Sequence, residues 1–367
     1  MYVGTVQPFI TTPYMFIENK KTLFNLIGYH EEPLTQEMHD LLIHCRTERL
    51  IEALLERYSA DTVDEAIDKK FICASDDVYR LYKISNLEIE TTTVCNNKCD
   101  YCPVKFEPYQ EKKIMDLELF KHILKQANQA DIHNITFNFF NEPTLDPYFS
   151  ERLKELASYN SLHLTLHTNG SNFSDKIINL LIKYKEKLLM VRINIPSLDP
   201  ATYEKMTGNQ LSQRLFKGIE SLHRAGIQVE LVLNGTRGEI NRNLPLFYKR
   251  YSADMISAAP SHDRAGILKN KYNQNINIVG KLSGCDRVLN TINVLINGDV
   301  LSCCNDYYKK YVFGNVLQKS LDEIMTGEQA QSFRQKVFGA HSSEDFLCRH
   351  CSYMLYICRS KRYEKIN

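Results

Sequence analysis

From residue 84 onward, apolar segments with the period of strands alternate with segments that have the period of amphipathic helices. The predicted strands are Ile84 to Thr93, Ile135 to Phe140, Leu162 to His167, Met190 to Ile195, Val229 to Leu233 and Met255 to Ala258. The predicted helices between them are Asp116 to Ala130, Tyr148 to Tyr159, Asp175 to Lys185, Gln213 to Ala225 and Asn241 to Tyr251. This alternation predicts an α/β fold, in which six βα units curl into a partial (β/α)6, TIM-like barrel over residues 84–260.

Residues 1–83 have a different pattern. Short β-prone pieces around residues 9–11, 15–17 and 22–27 are followed by helical segments, and the apolar residues between Leu50 and Tyr58 fall on one helix face. Three strands followed by three short helices predict a winged-helix domain. This segment contains 14 Asp and Glu against 9 Lys and Arg, a net charge of −5. Because phosphate binding needs clustered cations, we do not expect it to bind nucleic acid.

The composition of the chain indicates its cellular location. No apolar run approaches the roughly 20 residues of a membrane-spanning helix, and residues 1–5 lack the features of a signal peptide. We therefore expect a cytoplasmic protein without a membrane partner. In that reducing compartment, the 11 cysteines are expected to be metal ligands or isolated thiols rather than disulfides.

Cys95, Cys99 and Cys102 form a CxxxCxxC motif directly after the first predicted barrel strand. A cubane iron-sulfur cluster has four irons that each take one outside ligand, so three thiolates leave one iron open to a substrate or cofactor. A zinc loop or buried thiols are the alternatives. Structural zinc usually takes four protein ligands, however, and no His lies close by in the sequence. The spacing therefore predicts a catalytic [4Fe-4S] cluster.

The motif resembles the signature of the radical S-adenosylmethionine (SAM) enzymes, in which an aromatic residue, here Tyr101, precedes the third cysteine. The resemblance covers about residues 84–258 and implies the same curved six-unit barrel. It also implies that SAM binds the open iron through its amino and carboxylate groups. An electron from the cluster would then split SAM into methionine and a 5′-deoxyadenosyl radical.

Polar residues after the next three strands resemble SAM-binding positions of that family. Glu142 lies in a motif like the usual Gly-Gly-Glu-Pro, with Phe140 and Asn141 in place of the glycines. The resemblance implies that Glu142 pairs with the SAM ammonium group, and the Asn141 amide is a candidate contact. Asn169 belongs to a common third-strand ending, and Asn194 is a candidate ribose contact. A plain turn or a capped strand end is the alternative at each position.

A second group of cysteines lies in residues 261–367. Its spacing resembles the SPASM and shorter Twitch extensions, in which a glycine, here Gly298, precedes the second cysteine by a fixed distance. Residues 297–299 predict a hairpin turn whose two strands bring the first two cysteines together, and a capping box at Ser320 and Glu323 predicts a helix. The simplest ligand count gives one auxiliary [4Fe-4S] cluster on Cys285, Cys303, Cys348 and Cys351. A zinc ribbon is the alternative, and Cys304 and Cys358 are left over.

These features lead to a functional hypothesis with open alternatives. The first domain is similar to the peptide-recognition element of peptide-modifying enzymes, which implies that it binds the leader of a ribosomally made precursor as an added strand. The resemblance implies a radical SAM peptide maturase that takes electrons from a donor such as flavodoxin or ferredoxin and makes a crosslink, a thioether or an epimerised centre. A radical SAM dehydrogenase of a small alcohol or sugar is one alternative, and a non-catalytic iron-sulfur protein is another. No catalytic hydrogen donor is assigned.

Overall fold

The computed structural model describes residues 7–18, 21–282, 284–353 and 363–365. By their packing, these residues form two compact units. One unit contains residues 1–84, 277–290 and 323–367, and the other contains residues 85–276 and 291–322. The first unit therefore combines parts of the first and third predicted domains. The predicted boundaries at residues 83 and 260 stay predictions.

The strands and helices are numbered in chain order. The strands are β1 Phe9–Thr11, β2 Met15–Glu18, β3 Thr22–Asn25, β4 His30–Pro33, β5 Ile72–Ala74, β6 Asn86–Ile89, β7 Asn134–Thr136, β8 His163–Thr168, β9 Leu188–Asn194, β10 Val229–Gly235, β11 Ile256–Pro260, β12 Thr291–Val294, β13 Asp299–Leu301, β14 Val312–Asn315 and β15 Tyr363–Lys365. The α-helices are α1 Gln36–His44, α2 Ile51–Leu55, α3 Ala60–Asp68, α4 Leu117–Gln129, α5 Phe149–Ala157, α6 Asp175–Lys183, α7 Pro200–Thr207, α8 Gln213–Arg224, α9 Arg237–Tyr248, α10 Arg287–Asn290, α11 Leu321–Met325 and α12 Glu328–Phe338. Short 3-10 helices span Ser75–Arg80, Pro103–Lys105, Pro143–Leu145, Lys185–Lys187, Ala253–Met255 and Leu347–His350.

The unit that contains residues 85–276 is built on one continuous sheet. Strands β6 to β11 are parallel and lie in sequence order, each hydrogen-bonded to the next. Strand β12 adds parallel to the outer edge of β6, and the antiparallel strands β13 and β14 continue the sheet beyond it. The predicted α/β fold with a parallel sheet is confirmed. The sheet also extends into the downstream cysteine region, which the sequence analysis had treated as separate.

The two faces of this sheet differ in polarity because side chains alternate along each strand. On one face the strands carry apolar residues that pack under the helices, as Phe137 does against Phe120 of α4, with ring centroids 5.3 Å apart. On the other face the register aligns polar residues across the strands, namely Glu88, Thr136, His167, Arg192 and Glu230. Arg192 and Glu230 lie directly opposite each other and form an ion pair. The parallel strands therefore have one apolar face, not two.

Helix positions mostly follow the predicted pattern, with two differences. Helix α9 begins at Arg237, four residues before the predicted start, because Thr236 and Glu239 form a capping box. Helix α7 was not predicted. It is capped by Asp199, whose side chain accepts the backbone N–H of Thr202, and it ends at Gly208 with a φ of 68°.

In the other unit, strands β2, β3 and β4 form an antiparallel sheet, and helices α1, α2 and α3 follow it in the sequence. The three predicted strands correspond to β1, β2 and β3, but a fourth strand, β4, was not predicted and also precedes the three helices. The winged-helix assignment stays a prediction. Two details differ from the expected strands. The predicted strand at residues 22–27 ends at Asn25, and a turn with positive φ at Gly28 and Tyr29 leads into β4. Strand β1 pairs with β5 instead of joining the sheet.

Segments from both ends of the chain share the core of this unit. The Tyr14 ring packs edge-on against Phe338 of α12, at a centroid distance of 4.7 Å. Arg334 of α12 donates to the carbonyl of Tyr79, and Asn290 donates to the carbonyl of Leu26. Strand β15 adds antiparallel to β2. Within the described residues, no helix is both long enough and apolar enough to cross a membrane; the cytoplasmic location stays a prediction.

Candidate active site

The CxxxCxxC loop leaves the carboxyl end of β6 and is held by backbone hydrogen bonds to the end of helix α7. The N–H of Lys98 donates to the carbonyl of Thr207 at 2.7 Å, and the N–H of Asp100 donates to the carbonyl of Met206 at 2.9 Å. Gly208 allows the loop to approach the end of α7 closely, because a Cβ atom at position 208 would lie 3.1 Å from the Cβ of Lys98. Its φ of 68° also favours glycine. The unpredicted helix α7 therefore fixes the shape of the cysteine loop.

Asp100, between the second and third cysteines, connects the loop to residues 270–272. Its carboxylate accepts the Tyr272 hydroxyl at 3.0 Å and forms an ion pair with Lys271 at 2.8 Å, while its carbonyl accepts the Asn270 side chain at 2.7 Å. The Tyr272 ring packs edge-on against Tyr101, which is buried. Tyr101, the aromatic residue before the third cysteine, thus packs behind the loop and shields it from water.

Every sulfur in the motif accepts a hydrogen bond. Cys95 accepts from the backbone N–H of Asn97 and from the Asn169 side chain. Cys99 accepts from the side chains of Asn97 and Tyr101, and Cys102 accepts from the backbone N–H of Val104. Burial raises the pKa of the Cys95 thiol to about 12, and these donors oppose that rise.

This donor pattern tests whether the loop fits an iron-sulfur cluster. Hydrogen bonds to sulfur stabilise a thiolate, which is the form that ligates iron, and they tune cluster potentials. The Arg264 cation also lowers the pKa of Cys102, against a larger rise from burial. Three partly buried cysteines whose sulfurs are supplied with donors fit the three thiolate ligands of a cluster with one open iron. The three thiolates of a cubane each bind a different iron. A site for one single metal ion is a different arrangement, and across the described residues no three His, Cys, Asp or Glu side chains form one.

Glu142 is buried and joins three loops at the carboxyl edge of the sheet. Its backbone N–H donates to the carbonyl of Val94, the residue before Cys95, at 2.9 Å. Its Oε1 accepts the N–H and the hydroxyl of Thr144 and the hydroxyl of Thr168, and its Oε2 accepts the N–H of Asn169 at 2.7 Å. Burial raises the pKa of Glu142, and these four donors oppose that rise. Four hydrogen-bond donors directed at one carboxyl group favour its ionised, carboxylate form.

Asn169 links the third-strand loop to the cysteine loop. Besides contacting Cys95, its Nδ2 donates to Oδ1 of Asn96 at 3.0 Å, and its Oδ1 accepts the N–H and hydroxyl of Ser171. The following Gly170 has a φ of 68°, and a Cβ atom there would lie 2.3 Å from a methyl of Leu215. Only glycine fits that position, so the turn that follows Asn169 has room for no other residue.

Asn141 and Asn194 lie at the carboxyl edge with their amides already hydrogen-bonded. Asn141 accepts the N–H of Phe139 at 2.8 Å and donates to the carbonyl of Phe137 at 3.1 Å, so it closes its own loop. Asn194 accepts the Nδ2 of Asn234, at the end of β10, at 3.0 Å. The SAM contacts of Tyr101, Asn141, Glu142, Asn169 and Asn194 stay predictions.

The downstream cysteines are divided between the two units. Cys285, Cys348 and Cys351 belong to the unit that contains residues 277–290 and 323–367, whereas Cys303 belongs to the other unit. Burial, Asp286 and Cys351 all raise the pKa of Cys285, so Cys285 and Cys351 are neighbours. The backbone N–H of Asn305 contacts the sulfur of Cys303 at 3.5 Å. Cys358 lies outside the described residues, and the ligand set of the auxiliary cluster stays a prediction.

The predicted hairpin turn at residues 297–299 is present between β12 and β13, and the predicted helix is α11, which begins directly after Ser320. One detail of that prediction is wrong, because neither cysteine lies on a hairpin strand. Cys285 precedes helix α10, a turn of helix inserted before β12, and Cys303 follows β13 by two residues. The inserted helix has no apolar period of its own, so the sequence pattern did not separate it from the strand.

Sequence analysis missed several residues that shape this site. Asn97 contacts Cys95 and Cys99, Asn234 contacts Asn194, and Tyr272 contacts Tyr101. Asp100 binds the segment at residues 270–272 to the loop. Asn97 and Asp100 lie inside the motif, so their position was a usable signal. The segment at residues 270–272 lies about 170 positions away from the loop in the sequence and has no motif of its own.

The sequence profile of the radical SAM superfamily matches residues 89–249, and that of an iron-sulfur cluster-binding domain, SPASM, matches residues 285–352. The first match contains the loop, the donors and the parallel sheet described above. The chain is a radical SAM enzyme. Its cofactors are SAM and a [4Fe-4S] cluster, with auxiliary iron-sulfur binding in the SPASM domain. The number of auxiliary clusters, one by ligand count, stays a prediction.

Known proteins are similar to this radical SAM enzyme over different lengths. The S-adenosyl-L-methionine-dependent 2-deoxy-scyllo-inosamine dehydrogenase of Niallia circulans is 24% identical over 275 residues, which are 73% of this chain and 92% of the relative. The structure of Streptococcus suis SuiB bound to precursor peptide SuiA covers 94% of both chains at 14% identity, with a TM-score of 0.59. The structure of BtrN in complex with AdoMet and 2-DOIA covers 73% of this chain and 93% of that chain, at 20% identity and a TM-score of 0.51. These structural matches establish the fold.

The residues of this radical SAM enzyme have distinct tasks around its cofactors. Cys95, Cys99 and Cys102 would hold the cluster, which when bound supplies the electron that cleaves SAM reductively. Asn97 and Asn169 would stabilise the thiolate form of Cys95 and Cys99 by hydrogen bonding. Tyr101 excludes water from behind the loop, and Glu142 fixes the neighbouring loops in one arrangement.

Replacing Glu142 by glutamine tests this arrangement. The N–H of Thr144 points at one carboxylate oxygen and the N–H of Asn169 points at the other, so an amide NH2 group would face a backbone donor in either orientation. We expect Glu142→Gln to lower the free energy of unfolding by about 1–3 kcal/mol, the cost of an unsatisfied buried group. Chemical denaturation measures this. Thr168→Val removes one donor without opposing another, so it should cost less; an equal or larger cost would contradict the prediction.

Proposed function

We propose that this protein is a radical SAM maturase of a ribosomally made precursor peptide. It would bind the leader on the sheet of β2, β3 and β4 and remove a hydrogen atom from a residue of the precursor's core. The observation that carries the proposal is the sheet of β2, β3 and β4 itself, which precedes the radical SAM region in the sequence and has an edge suited to an added strand. The product would be a carbon-carbon or thioether crosslink, or an epimerised centre.

The edge strand β4 supports peptide binding. Among the described strands, β4 has a neighbour on one side only, and His30, Glu31 and Pro33 are exposed. Lys69, just after α3, forms ion pairs with Glu32 of β4 at 2.8 Å and with Glu65 of α3 at 2.9 Å. The carboxyl end of α3 therefore lies beside β4, and the surface between them is the candidate peptide groove. An extended peptide gains main-chain hydrogen bonds at such an edge.

The groove also suggests the charge of its ligand. Glu31 and Glu32 lie on the strand, Asp61, Asp64, Glu65 and Asp68 lie on the helix, and the cation Lys69 lies beside them. Since complementary charge steers association and selects partners, the leader is expected to carry Lys or Arg. This acidic surface agrees with the net charge of −5 over residues 1–83.

Similarity to solved structures also supports the peptide hypothesis. The match to SuiB bound to a precursor peptide extends over 94% of this chain, so it includes the first 84 residues in large part, whereas the match to BtrN covers 73%. The dehydrogenase remains a second candidate because a curated dehydrogenase is similar over 92% of its own length. Under that hypothesis the unit with β2 to β4 would have no peptide to bind.

A turnover experiment separates the two candidates. The anaerobically reconstituted enzyme is reduced with dithionite in the presence of SAM and either the precursor peptide encoded beside the gene or an aminocyclitol. A maturase should form 5′-deoxyadenosine in step with a mass change of the peptide's core. Peptides that stay unmodified, together with oxidation of the cyclitol, would instead identify a dehydrogenase.

A charge reversal tests the groove. We expect Glu31→Lys with Glu65→Lys to weaken binding of a cationic leader by at least about tenfold, because it replaces two carboxylates beside the edge by ammonium groups. Fluorescence anisotropy of a labelled leader measures the dissociation constant. The control reverses Glu52 and Glu56, two exposed carboxylates on and after α2. Equal weakening by both pairs would point to net charge alone and would reject the groove.

A further inference from the structure

Exposed cations surround the outer side of the cysteine loop. We call them the cationic rim, which consists of Lys98, Lys205, Arg237, Arg242, Lys269 and Lys271, all solvent-exposed. Across the whole chain, 45 Lys and Arg nearly balance 44 Asp and Glu, for a net charge of +1. The rim is therefore a local concentration of positive charge and does not follow from a generally basic composition.

Hydrogen bonds place these cations around the loop. Lys98 lies in the loop, and its N–H bonds to Thr207, two residues beyond Lys205 on α7. Lys269 precedes Asn270, whose side chain donates to the Asp100 carbonyl. Helix α7 and the segment at residues 269–272 thus both contact the loop directly, between its first and third cysteines.

Lys271 links the start of helix α9 to the cysteine loop. Its ammonium group bridges Asp100 of the loop, at 2.8 Å, and Glu239 of α9, at 2.5 Å. Arg237 and Arg242 lie in the first turns of α9, on either side of Glu239. Four separate segments of the chain therefore bring their cations together around one metal-binding loop.

The carboxylates on these segments leave the rim positive. They are Asp100, Glu204 and Glu239, and Lys271 pairs with the first and the last of them. Six exposed cations thus stand against three carboxylates, a local net charge of +3. A surface of this kind attracts a negatively charged partner over several ångströms, and the attraction weakens as salt is added.

We propose that the cationic rim is the docking surface for the electron donor, a small acidic protein that carries a single-electron cofactor. SAM cleavage consumes one electron per event, and that electron must reach the cluster from outside the chain. One electron would leave the reduced cofactor of the carrier and arrive at the cluster held by Cys95, Cys99 and Cys102. The carrier would depart oxidised by one electron. Such encounters are small and brief, and charge complementarity supplies most of their specificity. The proposal rests on the family's cofactors and is independent of the peptide substrate.

Binding of an acidic bacterial flavodoxin tests the rim. The variant is Lys205→Glu, Arg237→Glu and Lys269→Glu combined; it leaves out Lys98, which lies between two cluster ligands, and Lys271, which holds Asp100. At low ionic strength we expect the reconstituted variant to bind oxidised flavodoxin at least about tenfold more weakly than the unmodified enzyme. Added salt should weaken the unmodified enzyme's binding and reduce this difference. Unchanged affinity in the variant would overturn the proposal.

A control and a second measurement exclude other causes. The control reverses Lys125, Lys154 and Lys185, three exposed lysines on or beside the outer helices, and changes the net charge by the same amount. It should keep its flavodoxin affinity; equal loss would show an effect of total charge and would overturn the proposal. With dithionite, which needs no docking surface, the rim variant should form 5′-deoxyadenosine at the rate of the unmodified enzyme. A loss there would mean that the rim serves the active site itself, which also overturns the proposal.

Discussion

Replacing Cys95 by alanine will reduce 5′-deoxyadenosine formation to background while the auxiliary iron is retained. The Cys95 sulfur accepts donors from Asn97 and Asn169, so its loss removes a ligand from a prepared position. Two thiolates would remain on this loop, and a cubane with an open iron needs three. Iron analysis should show the loss of the irons of one cluster, and low-temperature electron paramagnetic resonance should show only auxiliary signals. Chromatography of the reaction measures 5′-deoxyadenosine.

The control for this prediction is Cys73→Ala, since Cys73 lies on β5 of the other unit and is not a predicted ligand. That variant should keep both its iron and its 5′-deoxyadenosine formation. If Cys95→Ala still cleaved SAM at the original rate, the assignment of this loop as the cluster site would be wrong. If it lost all of its iron, the two groups of cysteines would not bind metal independently.

Replacing Arg152 by methionine will lower the free energy of unfolding by about 3–5 kcal/mol, which is typical when one partner of a buried ion pair is removed. The pair between Arg152 and Asp146 is fully buried, with a Nε to Oδ2 distance of 2.6 Å. Arg152 also donates to the carbonyl of Met115 and lies 4.8 Å from the ring centroid of Phe120. Methionine fills the volume but leaves the Asp146 carboxylate buried without its cation.

Chemical denaturation, followed by circular dichroism, measures the loss in Arg152→Met. Because Asp146 ends the 3-10 turn that follows Glu142, the variant should also bind SAM more weakly. Adding Asp146→Asn removes the unpaired charge, so the double variant should recover part of the lost stability. A single variant as stable as the unmodified enzyme, or a double variant less stable than the single one, would show that charge burial does not control this position.

Local sequence determined the repeating elements and the chemistry of the loop. The barrel strands and most of their helices could be predicted because each has its own hydrophobic period, and burial of that face stabilises it in place. The CxxxCxxC motif could be recognised because its cysteines are close together in the sequence. The turn at residues 297–299 could be predicted because Gly298 permits the positive φ of 88° that the turn requires. These features depend on neighbours within a few residues.

Only the tertiary structure decided which distant residues complete the site. Asn97 and Asp100 have ordinary identities, and their roles come from contacts with Asn209 and Tyr272 that are more than 100 positions away in the sequence. The joining of β12 to β6 and the sharing of one unit by both ends of the chain were likewise absent from the pattern. The reason is physical: a hydrophobic period states which face of an element is buried, but not which partner buries it. Hydrogen bonds between loops depend on that choice of partner, so they appear only when the whole chain is folded.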